Sequence, residues 1–145
     1  MLPVHALQTE FDRLYREMQA LYHEAAVAVG LTDSGLTVMY AICELGEGCR
    51  QKDICQRCAS PKQTIHSAVR KLVETGLVRT EAGKGHELHL YLTPEGAALA
   101  DRFTMLRVCS VNCKVSYIVP SEERTEAVRE IRHYVSTLRK TLRGE

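Results

Sequence analysis

One stretch in the middle of the sequence combines a helix that has clear boundaries with a β-hairpin. The segment SPKQTIHSAVRKLVETGL opens on Ser60 and Pro61 and places Gln63 three residues after the serine, which is the spacing of a capping box. Gly76 supplies a stop at the far end. The next segments, LVRTE and ELHLYL, flank the glycine-bearing AGKG and alternate like a half-buried hairpin. The sequence therefore predicts a capped helix that leads at once into a two-stranded hairpin.

Two shorter helices are predicted immediately before this stretch. LTDSGLTVMYAICELGEG predicts a helix from Ser34 to Leu45 closed by Gly46, and RQKDICQRCA predicts two helical turns. On the capped helix, the apolar residues fall on one side and would pack on these two helices. The opposite side is polar and positively charged, which is typical of the recognition helix of a helix-turn-helix unit. The residues of that side are Lys62, Gln63, His66, Ser67 and Arg70.

Both ends of the chain carry apolar residues at alternating spacings of three and four. Such a row keeps one narrow seam facing a partner helix over several turns. The rows predict helices that are shared between two chains, although the seams could also pack within one chain. Their members are Leu7, Phe11, Leu14, Met18, Leu21 and Ala25; Val128, Ile131, Val135, Leu138 and Leu142; and, after Thr93-Pro94, Leu99, Phe103, Leu106, Ser110, Cys113 and Tyr117.

The predicted fold is mainly α with a two-stranded β-wing, in a chain of 145 residues that forms a single domain. A winged helix-turn-helix lobe is expected at residues 31–92. N- and C-terminal dimerisation helices are expected at residues 1–30 and 93–145. No uncharged apolar run approaches the roughly 18 residues of a membrane span, and the N-terminus lacks the pattern of a signal peptide. We therefore expect a cytoplasmic protein that makes no membrane contact.

The charge is concentrated in the middle of the chain. The net charge is only +1, but the segment from Arg50 to His86 contains eight basic residues and three acidic ones. A local excess of positive charge favours a polyanionic partner such as DNA. The alternative is that the polar helix face is simply solvated.

Enzyme motifs are missing from the sequence. It contains no GxSxG, no phosphate-cradling glycine loop and no HExxH. His66 and Ser67 are neighbours on a helix, so their side chains point about 100° apart, which is unsuitable for a base and its nucleophile. The sequence predicts no enzyme activity and no cofactor.

The run from Leu31 to Ala100 resembles the MarR family of bacterial winged-helix transcription regulators, above all in SPKQTIHSAVRKLVETGLVR and LHLYLTPEG. The resemblance implies a homodimer that binds a pseudo-palindromic operator in double-stranded DNA. It implies a recognition helix from Ser60 to Thr75 and a wing tip from Glu81 to Glu87. It also implies a repressor that a small-molecule effector releases from DNA. The resulting candidate DNA-binding residues are Ser60, Lys62, Gln63, Thr64, His66, Ser67, Arg70, Lys71, Arg79, Lys84 and His86.

The wing departs from the family pattern. Family wings often carry an acidic residue and then an arginine two positions later, where this chain has Lys84 and His86. An effector pocket is a second candidate site, although residues of this kind at helical spacing are also typical of plain core. Its candidate lining is Met18, Tyr22, Met39, Tyr40 and Met105.

Two cysteine pairs leave a thiol-based redox or metal-responsive regulator open as an alternative. Cys55 and Cys58 form a CxxC, and Cys109 and Cys113 lie four residues apart as candidate redox residues. Both pairs fall in helical patterns rather than on the turns that usually hold zinc, so core thiols and no metal site are expected. A winged-helix protein-interaction module without DNA binding is the second alternative.

Overall fold

The computed structural model describes residues 4–106 and 121–144. The chain divides into two compact units, Met1–Met105 and Leu106–Glu145. The predicted division into one domain with a lobe and a dimerisation region stays a prediction. The described elements are α1 (Val4–Ala28), α2 (Asp33–Leu45), β1 (Cys49–Arg50), α3 (Gln51–Cys58), α4 (Lys62–Glu74), β2 (Val78–Ala82), β3 (Leu88–Leu92), α5 (Pro94–Leu106) and α6 (Ser121–Arg143).

The predicted mainly α fold with a winged hairpin is confirmed, and the sheet gains a strand. Strands β2 and β3 pair antiparallel from Val78 opposite Leu92 to Ala82 opposite Leu88. The two-residue strand β1 adds to the other edge of β3, with Cys49 opposite Leu90, so the order is β1-β3-β2. Two residues are too few to show the alternation by which strands are recognised in sequence. The wing, defined here as residues 78–92, is thereby tied to the start of α3.

The core lies where α2, α3 and α4 meet the sheet. Its largest side chains are less than 2% exposed, and they come from every one of these elements. Burial of each such aliphatic side chain stabilises the fold by roughly 1.5–3 kcal/mol. These fully buried residues are Met39, Ile42, Ile54, Ile65, Leu90, Val38 and Val78.

The start of α4 differs from the prediction. Pro61 is the N-cap residue, with ψ at 141°, and no side chain caps the helix. Ser60 lies one position too early and donates its hydroxyl to the carbonyl of Cys58 at 3.2 Å. The predicted capping box between Ser60 and Gln63 is therefore wrong, because the left-handed turn at Ala59 (φ 48°) sets where the helix begins.

The end of α4 follows the prediction. Gly76 adopts a φ of 75°, and its amide donates to the carbonyl of Val73 at 3.0 Å. The amide of Leu77 donates to the carbonyl of Leu72 at 2.9 Å, which completes a Schellman motif. This glycine therefore turns the chain from α4 into β2, so that the wing follows the helix without a linker.

Helix α5 begins close to the backbone that leads into the wing. Thr93 caps α5 by accepting from the amide of Gly96 at 3.0 Å, and its own amide donates to the carbonyl of Leu77 at 3.1 Å. A Cβ atom at Gly96 would lie 1.9 Å from that same carbonyl oxygen. Only glycine therefore permits this approach.

The terminal rows form helices as predicted, in α1 and α6. Ala25 is half-buried against the core, and the other members of these two rows with described side chains are exposed, from 36% at Phe11 to 78% at Leu142. The third row is helical as far as Leu106, and its remaining members, Ser110, Cys113 and Tyr117, lie outside the described residues. Within residues 4–106 and 121–144, no single helix is long and apolar enough to cross a membrane. Only α1 and α2 taken together, across an 85° bend, reach that composition.

Candidate nucleic-acid interface

Helix α4 has one buried face and one exposed face. Ile65, Ala68, Val69 and Leu72 are each no more than 6% exposed, and they fix the helix on the core. Their spacing leaves the opposite side free to contact a partner. The name outer face is used below for the exposed polar residues from the start of α4 to Lys71, which are Lys62, Gln63, Thr64, His66, Ser67, Arg70 and Lys71; Val73 and Glu74 at the end of the helix are exposed as well. Ser60, the remaining candidate near this helix, is half-buried.

The wing tip carries two of the predicted residues. Lys84 and His86 are both exposed, and they flank Gly85 in a tight turn. Gly85 and His86 adopt φ values of 68° and 65°. The left-handed conformation is uncommon for a residue with a side chain, so the backbone of this turn is strained at His86.

Arg79 is held on the side of the wing. Its guanidinium pairs with Glu81, and its Cζ lies 4.2 Å from the centroid of the Tyr91 ring. The ring face attracts the cation, and the pairing leaves the side chain about half exposed. Arg79 lies opposite Tyr91, in the second residue pair from the base of the hairpin, so it is displayed near the base of the wing rather than at its tip.

An ion-pair network joins the wing tip to α3. Arg50 Nη2 lies 2.8 Å from Asp53 Oδ1, and Arg50 Nη1 lies 3.3 Å from Glu87 Oε1. Hydrogen bonds from Arg50 lower the pKa of the Asp53 carboxyl, and Asp53 in turn raises the pKa of Arg50. The network runs from Asp53 on α3, through Arg50, to Glu87, the residue that follows the tip turn.

A groove of about 490 Å³ runs between α3, the start of α4 and the wing tip. Lys52 and Lys62 line it, and Lys84 precedes its lining residue Gly85. None of these three lysines, nor Lys71 further along α4, forms an ion pair with any described residue. By contrast, Arg70 pairs with Glu74 at 3.1 Å. The groove is lined by Arg50, Gln51, Lys52, Cys55, Gln56, Lys62, His66, Gly85, His86, Glu87 and Leu88.

Sequence reasoning missed the contribution of α3. Lys52 and Gln56 are exposed, lie four residues apart on α3 and line the groove with Lys62. Both lie on the side of α3 opposite the buried Ile54, and this spacing is the sequence signal that predicts their exposure. The groove adds α3 to the candidate interface.

Cys49, Cys55 and Cys58 are free thiols, and burial raises the pKa of both Cys49 and Cys58. No set of three metal-ligating side chains lies together within residues 4–106 and 121–144. His23 instead pairs with Asp33 at 2.7 Å. Cys109 and Cys113 lie outside the described residues, so the redox prediction stays a prediction.

The candidate effector residues lie in different environments. Met39 is fully buried in the core, while Met18 and Tyr22 on α1 are 48% and 44% exposed. Tyr40 is half-buried, and the side chain of Met105 is outside the described ones. The pocket assignment stays a prediction.

The segment that contains this interface matches a known family. The model of the MarR family matches residues 29–87, from the end of α1 to the wing tip. This segment, which contains the helix-turn-helix and most of the wing, is similar to the MarR family. No curated protein matches the sequence.

Solved MarR-family structures share the fold over nearly the whole chain. The S. aureus MepR–DNA complex superimposes with a TM-score of 0.71 at 19% identity, covering 95% of this chain and 99% of MepR. A MarR transcriptional regulator from Methanosarcina mazei Go1 gives 0.68 at 16% identity, covering 93% and 98%. PcaV from Streptomyces coelicolor, in complex with its natural ligand, gives 0.67 at 22% identity, covering 94% and 98%. The likeness confirms the winged-helix fold.

Proposed function

We propose that this chain is a homodimeric transcriptional regulator of the MarR type that binds duplex DNA in a sequence-specific way. The observation that carries the proposal is the surface formed by the outer face of α4, the groove and the wing tip. It combines hydrogen-bonding side chains with lysines that have no carboxylate partner among the described residues. A helix of this kind fits the major groove, and a nearby wing can reach the adjacent backbone.

The surface divides naturally into base-reading and phosphate-holding parts. Gln63, His66 and Ser67 lie on the first turns of α4, where a recognition helix meets base edges. Lysines around the groove and at the wing tip would hold phosphates, together with Arg70 and Arg79, whose exposed ion pairs are weak enough to exchange for a phosphate. The ion pair between Arg50 and Glu87 would hold the wing tip to the start of α3.

Dimerisation and effector control complete the proposal. The exposed apolar rows of α1 and α6 would be covered by a second copy of the chain. Release from DNA by a small molecule is proposed because PcaV, which shares the fold, was solved with its natural ligand. A DNA-binding regulator of this kind would work in the cytoplasm as a repressor.

The proposal is tested by measuring the salt dependence of binding to a random duplex. We expect binding at low salt that weakens steeply as salt rises, because phosphate contacts release counterions. Lys52→Ala should lower the salt slope by about one unit. Lys140→Ala, at the end of α6, is the matched control and should leave the slope unchanged.

Two results would contradict the proposal. A chain that fails to bind duplex at low salt would favour the protein-interaction module. A slope that falls equally in Lys52→Ala and Lys140→Ala would show that binding follows general charge and does not use the groove.

A further inference from the structure

Gln51, the first residue of α3, is a polar exception in an apolar core. Among the residues whose burial is described, Gln51 is the one polar residue that is buried, with 8% of its surface exposed. Its amide oxygen has no hydrogen-bond partner among the described residues. A buried amide with an unsatisfied oxygen is unfavourable, so stability alone does not account for glutamine at this position.

The amide of Gln51 has a polar contact on the outer face of α4. Its Nε2 lies 3.5 Å from Nδ1 of His66, at the long end of the hydrogen-bond range. Both side chains line the groove, but Gln51 is buried whereas His66 is exposed. A fixed core group therefore supports a histidine whose other ring nitrogen is free to meet a partner.

We propose that Gln51 is a positioning residue that fixes the tautomer of His66 for base recognition. This inference rests on the proposed function. If the Gln51 amide donates to Nδ1, that nitrogen is an acceptor, and the neutral ring carries its proton on Nε2. His66 then offers a hydrogen-bond donor to DNA. In the major groove guanine presents the acceptors N7 and O6, whereas cytosine presents an amino donor. Because cytosine offers no acceptor at its major-groove edge, His66 therefore prefers guanine to cytosine at the base it contacts.

Gln51→Met tests the proposal because methionine nearly keeps the side-chain volume and removes both hydrogen-bonding groups. Gln56→Met is the matched control, since Gln56 lies on the same helix, lines the same groove and is exposed. Nitrogen-15 NMR of the DNA-free protein should show the Nε2-protonated tautomer of His66 in the wild type and in Gln56→Met. Gln51→Met should show a mixture of tautomers.

Quantitative selection from a random duplex pool provides the second measurement. His66→Ala identifies the base pair that depends on His66, where the wild type should prefer guanine over cytosine by about fivefold or more, the lower end for a good base contact. Gln51→Met should reduce that preference and leave the other positions unchanged. Added to His66→Ala, it should have no further effect on base preference, because the two residues act through one contact.

Three results would overturn the proposal alone, in a wild type that binds DNA selectively. They are the Nδ1-protonated tautomer in the wild type, an unchanged tautomer and preference in Gln51→Met, and a loss of preference spread equally over all positions. A wild type without sequence preference would instead overturn the proposed function, and the base-reading role of His66 with it. The NMR measurement keeps these outcomes apart because it needs no DNA.

Discussion

At the scale of single residues, the interface contains two kinds of side chain. Polar side chains lie on a helix that is anchored to the core, and charged side chains lie on an exposed turn. Gln63 lies on the first turn of an anchored helix, so its direction is fixed, whereas Lys84 lies on an exposed tip. Fixed direction suits the geometry of base edges, and flexible charge suits phosphates.

This difference predicts distinct effects for two alanine variants. Gln63→Ala should change base preference at one position, by about 1–3 kcal/mol for a good contact. Lys84→Ala should weaken all sequences alike and lower the salt slope by about one unit. Binding measured on a panel of single-base operator variants at several salt concentrations checks both effects. An equal loss of preference in the two variants would contradict the division.

Asp53 gives a prediction about pH. Its folded-state pKa lies below the ordinary value of 3.8 because Arg50 donates hydrogen bonds to it. The stabilisation is therefore present above that ordinary value and is lost as pH falls through the lower folded pKa. We expect Asp53→Asn to unfold more easily than the wild type at pH 7. The difference in free energy of unfolding should shrink as pH falls below 3.8 and vanish where the folded-state carboxyl is protonated, and a difference that does not shrink would contradict the assignment.

The exposed residues could be predicted from sequence where the helical period alone decides which side of a helix faces the core. The outer face of α4 followed from the positions of Ile65 and Leu72, because a helix of known direction exposes everything opposite its apolar side. Lys52 and Gln51 were missed because α3 spans only eight residues, and its residues line a groove only when α3 packs beside α4. That proximity depends on tertiary packing, which no local pattern encodes.

At the scale of elements, the junctions decide how the helix and the wing are held. Gly76 turns α4 into β2, and Gly96 lets α5 start against the carbonyl of Leu77. The sequence predicted the first junction because a glycine after an apolar row is a known stop signal. The second junction could not be predicted, since a glycine inside a helix gives no indication of the backbone that approaches it.

Gly96→Ala tests the second junction. On an ordinary helix, alanine stabilises relative to glycine by about 1 kcal/mol. Here the added methyl group would meet the Leu77 carbonyl oxygen at 1.9 Å, so we expect destabilisation by roughly 1–3 kcal/mol or more. Urea unfolding measures it, with Ala98→Gly on the exposed side of the same helix as a control of helix propensity. A stabilised Gly96→Ala variant would contradict the close approach.

At the scale of the whole molecule, two helices expose apolar rows that a single unit leaves uncovered. The rows were visible in the sequence because the spacing of three and four persists over several turns. What covers them could not be read from sequence, since a seam has the same pattern within a chain and between chains.

Leu21→Glu should weaken self-association, because it places a charge in the α1 row. Val27→Glu is the matched control. It lies on the same helix outside the row, and the two residues are similarly exposed, at 59% and 62%. Sedimentation velocity should show the wild type and Val27→Glu as dimers and Leu21→Glu shifted towards monomer. If all three proteins dimerised with the same affinity, the α1 row would not be part of the proposed dimer interface.

The most direct test of the proposed function is the selection of bound sites from a random duplex pool by the wild-type chain. Two recognition helices related by a twofold axis should enter successive major grooves. The selected sites should then be pseudo-palindromes whose half-site centres lie about 10 bp apart, with two chains bound per duplex. Single half-sites selected as strongly as paired ones, or a pool that shows no enrichment, would contradict the account.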